Sequence, residues 1–277
     1  MDMSEKIRLD LLLFQRGLVT SREKGKNLIK NGNVFVDGKC ADKAGAMLNG
    51  NENIEIQGET PRYVGRGGYK LEKVLESNSI RLNGKVCMDI GASTGGFTDC
   101  MLQYGADKVY AVDVGTNQLD EKLRQESKVI SMENTNMRYL KPEEIGEAVD
   151  FAAMDVSFIS VTKLLEPIRV VLKENACIAS LIKPQFEAGR ENIGKGGIVK
   201  DRKVHLQVLK NILRAFEENG FLPLWMSYSP IKGTDGNIEY LLLAQKREES
   251  REDFIEKVFF DEFFLEKLVK ESHELKD

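Results

Sequence analysis

The sequence predicts an α/β fold: a mostly parallel, doubly wound sheet of seven strands, preceded by a small α+β domain. Three observations carry this. From Lys85 onward, short apolar runs alternate with helical segments, the order that a parallel sheet requires. A glycine-rich stretch, Asp89-Ile-Gly-Ala-Ser-Thr-Gly-Gly-Phe97, joins the first of these strands to a helix. The last two strand-like runs follow one another with no helix between them, which predicts an antiparallel hairpin at the sheet edge.

Taken in order, residues 1–58 form the first domain. Leu9, Leu12 and Leu13 lie on one side of a helix over Arg8–Arg16 that Gly17 ends. Ser21 caps a second helix, Arg22–Lys30. Asn33–Val36 alternates as a strand, Asp37-Gly38 offers a tight turn, and Asn53–Gln57 supplies another strand. Arg16, Arg22, Lys24, Lys26 and Lys30 are opposed by Glu23 alone, the pattern of a phosphate-contacting surface or of a solvated helix face. Residues 59–68, with Pro61, Gly65, Gly67 and Gly68, read as a linker to which Arg62 and Arg66 add positive charge.

The second domain spans 69–246. Lys70 opens a helix carrying Leu71, Val74 and Leu75. Strands are expected at Val86–Ile90, Lys108–Val114, Val129–Met132, Phe151–Met154, Cys177–Ile182, Leu224–Ser229 and Glu239–Ala244. Covering helices are expected at Phe97–Tyr104, Val161–Lys173 and Asp201–Asn219. Gln185–Lys200, rich in glycine and carrying Arg190, Lys195 and Lys200, reads as a mobile basic loop over a substrate. Residues 247–277 form an acidic tail whose Phe254, Phe259, Phe260, Phe263, Phe264 and Leu268 recur at helical spacing, as in a helix docked on the body.

Composition narrows the function classes. Of the 277 residues 42% are hydrophobic and 30% charged. No apolar run reaches the ~18 residues of a membrane span, and Met1–Asp10 lacks a signal-peptide core, so a cytoplasmic protein is expected. Four cysteines form no Cys-x-x-Cys pair and only two histidines, His205 and His273, are present, so neither a disulfide framework nor a metal site is expected. The net charge of −4 misleads: the tail from Arg247 carries −5, which leaves +1 on the other 246 residues.

The glycine turn points to a nucleoside-type cofactor. Gly91, Gly95 and Gly96 permit a tight turn and close approach of backbone to ligand, while Asp89 closes the strand. A dinucleotide fingerprint needs glycine where Ser93 stands, so a ligand without phosphates, such as S-adenosylmethionine, suits the loop better. Asp113, 22 residues after Gly91, can accept hydrogen bonds from ribose hydroxyls.

Four further residues carry the chemistry. Asp155 and Lys183 end strands at the carboxyl edge, Glu239 opens the final strand, and Lys70 precedes the first. Asp155 lacks the Pro-Pro-aromatic sequence used to methylate exocyclic nitrogens, and no cysteine stands at the ligand edge for carbon methylation. Two lysines and two carboxylates suit a ribose hydroxyl. A lysine serves as base where burial and a neighbouring cation favour its neutral form, and the carboxylates orient the lysines.

Two resemblances extend this reading. Arg8-Leu-Asp, Arg16-Gly-Leu-Val and Ile29-Lys-Asn-Gly-Asn-Val34 lie within a stretch, 8–38, that resembles the alpha-L RNA-binding module of RNA-modifying enzymes. Residues 8–246 resemble the TlyA family, once called haemolysin A, whose catalytic part is FtsJ-like. The matching motifs are Asp89–Thr98, Ala111–Gly115, Glu133–Arg138, Asp155–Ser160, Lys183–Glu187 and Gly236–Tyr240. The resemblance implies a Rossmann-like, S-adenosylmethionine-dependent sheet and 2'-O-methylation of cytidine in ribosomal RNA, with ribosomal subunits as partners. It implies a catalytic tetrad of Lys70, Asp155, Lys183 and Glu239, with Lys183 as base, and cofactor contacts at Gly95, Phe97, Asp113 and Asn136. Tyr63 stands where the family usually has tryptophan. The competing classes are a membrane-active protein, for which the Phe-rich tail is the candidate element, and a non-catalytic RNA-binding protein.

Overall fold

The computed structural model describes residues 6–19, 21–30, 32–57, 61–194, 196–233, 236–247 and 260–275. The chain divides into two compact units, Met1–Arg62 and Tyr63–Asp277. Of the expected features, the Lys30 side chain, Lys195, Phe254 and Phe259 lie outside the described residues.

In the first unit, helices α1 (Leu9–Gln15) and α2 (Arg22–Lys30) pack on short strands: β1 (Ile7–Arg8), β2 (Val34–Val36), β3 (Lys39–Cys40), β4 (Met47–Leu48) and β5 (Ile54–Ile56). β1 pairs with β4, and β2 lies between β3 and β5. Leu9 and Leu13, on the apolar side of α1, form the core with Val19, Ile29 and Val34. Gly17, at φ +68°, turns the chain out of α1. Beneath α1, the buried Asp10 carboxylate takes ion pairs from Arg8 at 3.0 Å and Arg22 at 3.2 Å. The hydrogen bond from Arg8 holds Asp10 down to about 2, against the opposing effect of burial.

The second unit opens with Tyr63, which is buried against Leu71 and Leu75 rather than extended in a linker. Its elements are α3 (Gly67–Ser77), β6 (Val86–Ile90), α4 (Gly96–Gln103), β7 (Lys108–Val112), α5 (Glu121–Arg124), β8 (Val129–Met132), α6 (Pro142–Ile145), β9 (Val149–Met154), α7 (Leu165–Val171), β10 (Leu172–Ile182), α8 (Pro184–Glu187), α9 (Arg202–Glu218), β11 (Phe221–Tyr228), β12 (Tyr240–Lys246) and α10 (Glu262–His273). Seven strands form one sheet in the order β11-β12-β10-β9-β6-β7-β8. β12 slots between β10 and β11, antiparallel to both, so the last two strands form the antiparallel hairpin expected at the sheet edge.

Period-two alternation assigns the two faces. Cys87, Leu241 and Leu243 face a layer with Leu71, Leu75, Cys100 and Met101 of α3 and α4. Met88, Ile90, Tyr240, Leu242 and Ala244 face the other layer with Leu165, Ile168, Leu209, Phe216 and Leu265 of α7, α9 and α10. The tail helix α10 thus belongs to the main core. It buries Leu265, Leu268 and Val269, while Phe263 is exposed.

Several expected boundaries shift for identifiable reasons. β11 begins at Phe221 rather than Leu224, because an edge strand accommodates Pro223 and the register slips between Pro223 and Trp225. The segment expected to be one helix over Val161–Lys173 contains Pro167, which has no amide to donate. It divides into a 3-10 turn, Val161–Leu164, and α7, after which β10 begins directly at Leu172. β7 stops at Val112 and β12 starts at Tyr240, so Asp113 and Glu239 stand just outside the strands they were expected to end and open.

Gly91 is set by the approach of β9 to the turn after β6. Its φ is +85°, and a Cβ there would meet the Asp155 carbonyl oxygen at 2.4 Å. Gly146, at φ +76°, has open space around it. Gly146→Ala should cost about 1–2 kcal/mol, the left-handed penalty alone. Gly91→Ala should cost about 1–3 kcal/mol more, since backbone must move. Urea unfolding of both variants checks this; equal losses would contradict it.

Candidate active site

A cleft of about 210 Å³ opens at the carboxyl edge of β6, β9 and β10, entirely within the second unit. The turn after β6 forms one wall. Four of its amides are spent internally: Gly91 and Ala92 donate to the Val112 carbonyl (2.9 and 3.1 Å), Ser93 donates to Asp113 Oδ2 (2.7 Å), and Gly95 donates to the Ala92 carbonyl (2.7 Å). A pyrophosphate cradle needs such amides free, so this wall suits a ligand without phosphates. Asp113 also accepts the Gly115 amide on Oδ1 at 2.7 Å. It braces the loop from behind, and is not among the cleft-lining residues.

Asp89 lies at the floor of the cleft, fully buried. Oδ2 accepts the Thr98 amide at 2.8 Å and the Thr98 hydroxyl at 2.7 Å. Oδ1 has no hydrogen-bond partner among the described residues. Burial pushes this carboxyl up to about 7, with the Thr98 bonds opposing the rise. Phe97, in the first turn of α4, lines the cleft beside Asp89. Gly95, at φ +95°, precedes α4. Asn136 stands elsewhere, with its side-chain oxygen accepting the Arg138 amide at 3.0 Å to cap the 3-10 turn Met137–Tyr139.

The four candidate catalytic residues converge. Asp155, just after β9, is 2.6 Å from Lys183 Nζ through Oδ1 and 4.0 Å from Lys70 Nζ through Oδ2. Lys70 Nζ donates to Glu239 Oε2 at 2.6 Å. The two carboxylates balance the two lysines, as a buried charge network requires. Topology explains the convergence. β9 and β10 run parallel, so their ends share one edge. β12 runs antiparallel, so the residue preceding it, Glu239, reaches that same edge. Lys70 and Glu239 are buried, and burial pushes the Glu239 carboxyl up while Lys70 opposes it.

The candidate RNA contacts divide. Arg16 is committed to the fold, donating to the Glu52 and Gly50 carbonyls at 2.8 and 2.7 Å, and Arg22 to Asp10. Lys26 pairs with Glu23 at 3.0 Å, and Lys24 is exposed. Arg62 ends the first unit, while Arg66 lines the cleft and Arg190 is exposed on a 3-10 turn, Arg190–Asn192. Sequence reasoning missed Ser157 and Thr98. Ser157 lines the cleft and accepts a hydrogen bond from Lys183 Nζ at 2.9 Å. Thr98 appears in the sequence nine residues past Asp89, one helical turn into α4, the one signal that could have paired them. Among the described residues, no three His, Cys, Asp or Glu side chains are grouped to hold a metal.

Residues 63–246 match the FtsJ-like methyltransferase family, and residues 7–54 match the S4 domain. The chain belongs to the FtsJ-like methyltransferases. It is 48% identical to YqxC of Bacillus subtilis over 240 residues, 86% of this chain and 85% of that one. It is 38% identical to the 16S/23S rRNA (cytidine-2'-O)-methyltransferase TlyA of Mycobacterium tuberculosis over 241 residues, 87% of this chain and 90% of that one. A solved structure from Streptococcus thermophilus, 40% identical, covers 98% of this chain and 97% of its own, with a TM-score of 0.75.

Asp89 generates a pH dependence. A carboxyl raised to about 7 in the native state and near ~3.9 unfolded holds its proton longer when folded. Its contribution to stability is therefore present at low pH and lost as pH rises toward 7. Between pH 5 and 8 the wild-type chain should lose about 2 kcal/mol relative to Asp89→Asn. Urea unfolding across that range reads the difference, and parallel curves would contradict it.

Proposed function

We propose that this methyltransferase transfers a methyl group from S-adenosylmethionine to the 2'-hydroxyl of a cytidine ribose in ribosomal RNA. The observation that carries the reading is the joining of Lys183 and Asp155, which line the cleft, to the buried Lys70 and Glu239 in one charge network. The relative named for cytidine-2'-O methylation supports the choice of nucleoside and of RNA.

The residues fit the cofactor. Four of the loop amides are already spent within the fold, and the unpartnered Asp89 Oδ1 offers an acceptor at the cleft floor. Asp89, Gly91, Ser93, Gly95 and Phe97 would hold the cofactor, with Asp113 fixing the loop and Asn136 a further candidate contact from beyond β8. When bound, S-adenosylmethionine supplies an electrophilic methyl group.

The chain's own residues supply the rest. Lys183, in its neutral form, takes the proton of the ribose hydroxyl, which makes the oxygen a competent nucleophile. Asp155 fixes the position of Nζ and stabilises the ammonium that forms. Lys70 places a second positive charge next to Asp155, and Glu239 holds Lys70 in place at 2.6 Å. With the hydroxyl oriented by these groups, alignment contributes much of the rate. The S4 unit, with Lys24 on its exposed surface, is the element proposed to hold RNA, and Arg66 and Arg190 are proposed to meet it on the second unit. Cytoplasmic ribosomal subunits are the proposed partners.

A membrane-active role rested on the Phe-rich tail. Leu265, Leu268 and Val269 of that tail are instead buried in the core of the methyltransferase unit. Among the described residues, no helix is long and apolar enough to cross a membrane.

Lys183→Ala should lower ribose methylation by about 10²–10⁴-fold, the usual contribution of a general base, while cofactor binding measured by calorimetry survives. Transfer at the wild-type rate would overturn the assigned role.

A further inference from the structure

Beyond the four residues of the tetrad, the cleft contains a hydroxyl in contact with the proposed base. Lys183 Nζ lies 2.6 Å from Asp155 Oδ1 and 2.9 Å from Ser157 Oγ, and all three residues line the cleft. Asp155 and Ser157 are two residues apart in the turn after β9, while Lys183 comes from the end of β10. A hydrogen-bonding hydroxyl and an ion-pairing carboxylate therefore meet one amine, and both belong to the neighbouring strand's turn.

We propose that Ser157 is a positioning residue that aims the lone pair of neutral Lys183 at the substrate hydroxyl. The inference rests on the reading of Lys183 as the base of a ribose methyltransferase. A neutral amine carries two N–H bonds and one lone pair in tetrahedral directions about nitrogen. Ser157 Oγ accepts one N–H at 2.9 Å, while the Asp155 carboxylate, in ion-pair contact at 2.6 Å but outside hydrogen-bond geometry, draws the other N–H toward it and repels the lone pair. The lone pair is left in the third direction, the one that neither acceptor covers. As the reaction proceeds, the ribose O–H bond breaks and its proton forms the third N–H bond on Nζ, while the oxygen would take the methyl group of S-adenosylmethionine, whose carbon–sulfur bond breaks with the electron pair left on a neutral thioether. The resulting ammonium retains both acceptors, so the amine need not turn during proton transfer.

Asp155 cannot do this alone. With one N–H held, rotation about the Cε–Nζ bond can place either the second N–H or the lone pair toward the substrate. A serine hydroxyl removes that freedom without adding another charge to a site whose two carboxylates already balance two lysines. The side chain of Ser157 is exposed to the cleft and is no part of the hydrophobic core, so its contribution is to the amine and not to folding.

The test replaces Ser157 in the full chain with Ala, Val and Thr. Methyl transfer is measured on ribosomal subunits purified from cells that lack this protein. Val matches Thr in shape without the hydroxyl. Ser157→Ala and Ser157→Val should lower kcat by roughly tenfold, the scale of one lost orienting hydrogen bond, with KM for the subunits and cofactor affinity unchanged. Ser157→Thr should restore kcat. Equal kcat in all three variants and wild type, or a loss that appears in KM alone, would overturn the proposal. Lys183→Ala run in parallel separates the two failures. If that variant also retains transfer, the reading of the base has failed; if it loses transfer while Ser157→Val does not, the lone-pair role alone has failed.

Discussion

The carboxylate of Asp155 touches both lysines of the site, one oxygen toward each. Two cations this close would repel one another strongly in a partly buried cleft, and a shared carboxylate lets them coexist. The geometry depends on the sheet. The Asp155 amide donates to the Ile90 carbonyl at 2.9 Å, which ties the turn after β9 to the end of β6. Gly91 leaves room for that approach. Lys183, proposed as base, the Asp155 carboxylate and the glycine turn are therefore placed by one set of parallel pairings.

The antiparallel β12 contributes what a wholly parallel sheet could not. A strand running the other way delivers its first residues to the carboxyl edge of its neighbours, and so brings Glu239 to Lys70. A buried network of this kind adds little net stability, but it is costly to break, because each charge left behind lacks both water and a partner. Its retention is explained by chemistry. Around it, α10 closes the far layer of the core with Leu265, Leu268 and Val269, and makes the tail part of the fold that holds the strands in register.

Much of this was legible in the sequence because it rests on local pattern. Alternating apolar runs located the strands, the glycine turn located one wall of the cleft, and the order Lys70, Asp155, Lys183, Glu239 named four residues that the fold brings together. What escaped depends on tertiary context. Pro223 would break a central strand and is tolerated in β11 because β11 lies at the edge. Arg16 and Arg22 carry positive charge in any reading, yet the fold commits them to the Gly50 and Glu52 carbonyls and to Asp10. The tail was read as a docked helix and α10 is one, but its phenylalanines are the lesser part of the contact: Leu265, Leu268 and Val269 are buried, Phe260 and Phe264 are partly buried against the core, and Phe263 is exposed. Ser157 could not be distinguished from any other loop serine until the turn after β9 was set against Lys183.

This site is proposed to act on ribose oxygen in ribosomal RNA. Site-resolved mapping of 2'-O-methyl groups, on ribosomal RNA from cells with and without the protein, tests it most directly. The account predicts a cytidine whose ribose methylation disappears with the protein and returns with the wild-type chain. Identical ribose methylation maps, or a methyl group that is lost from a base instead, would contradict it.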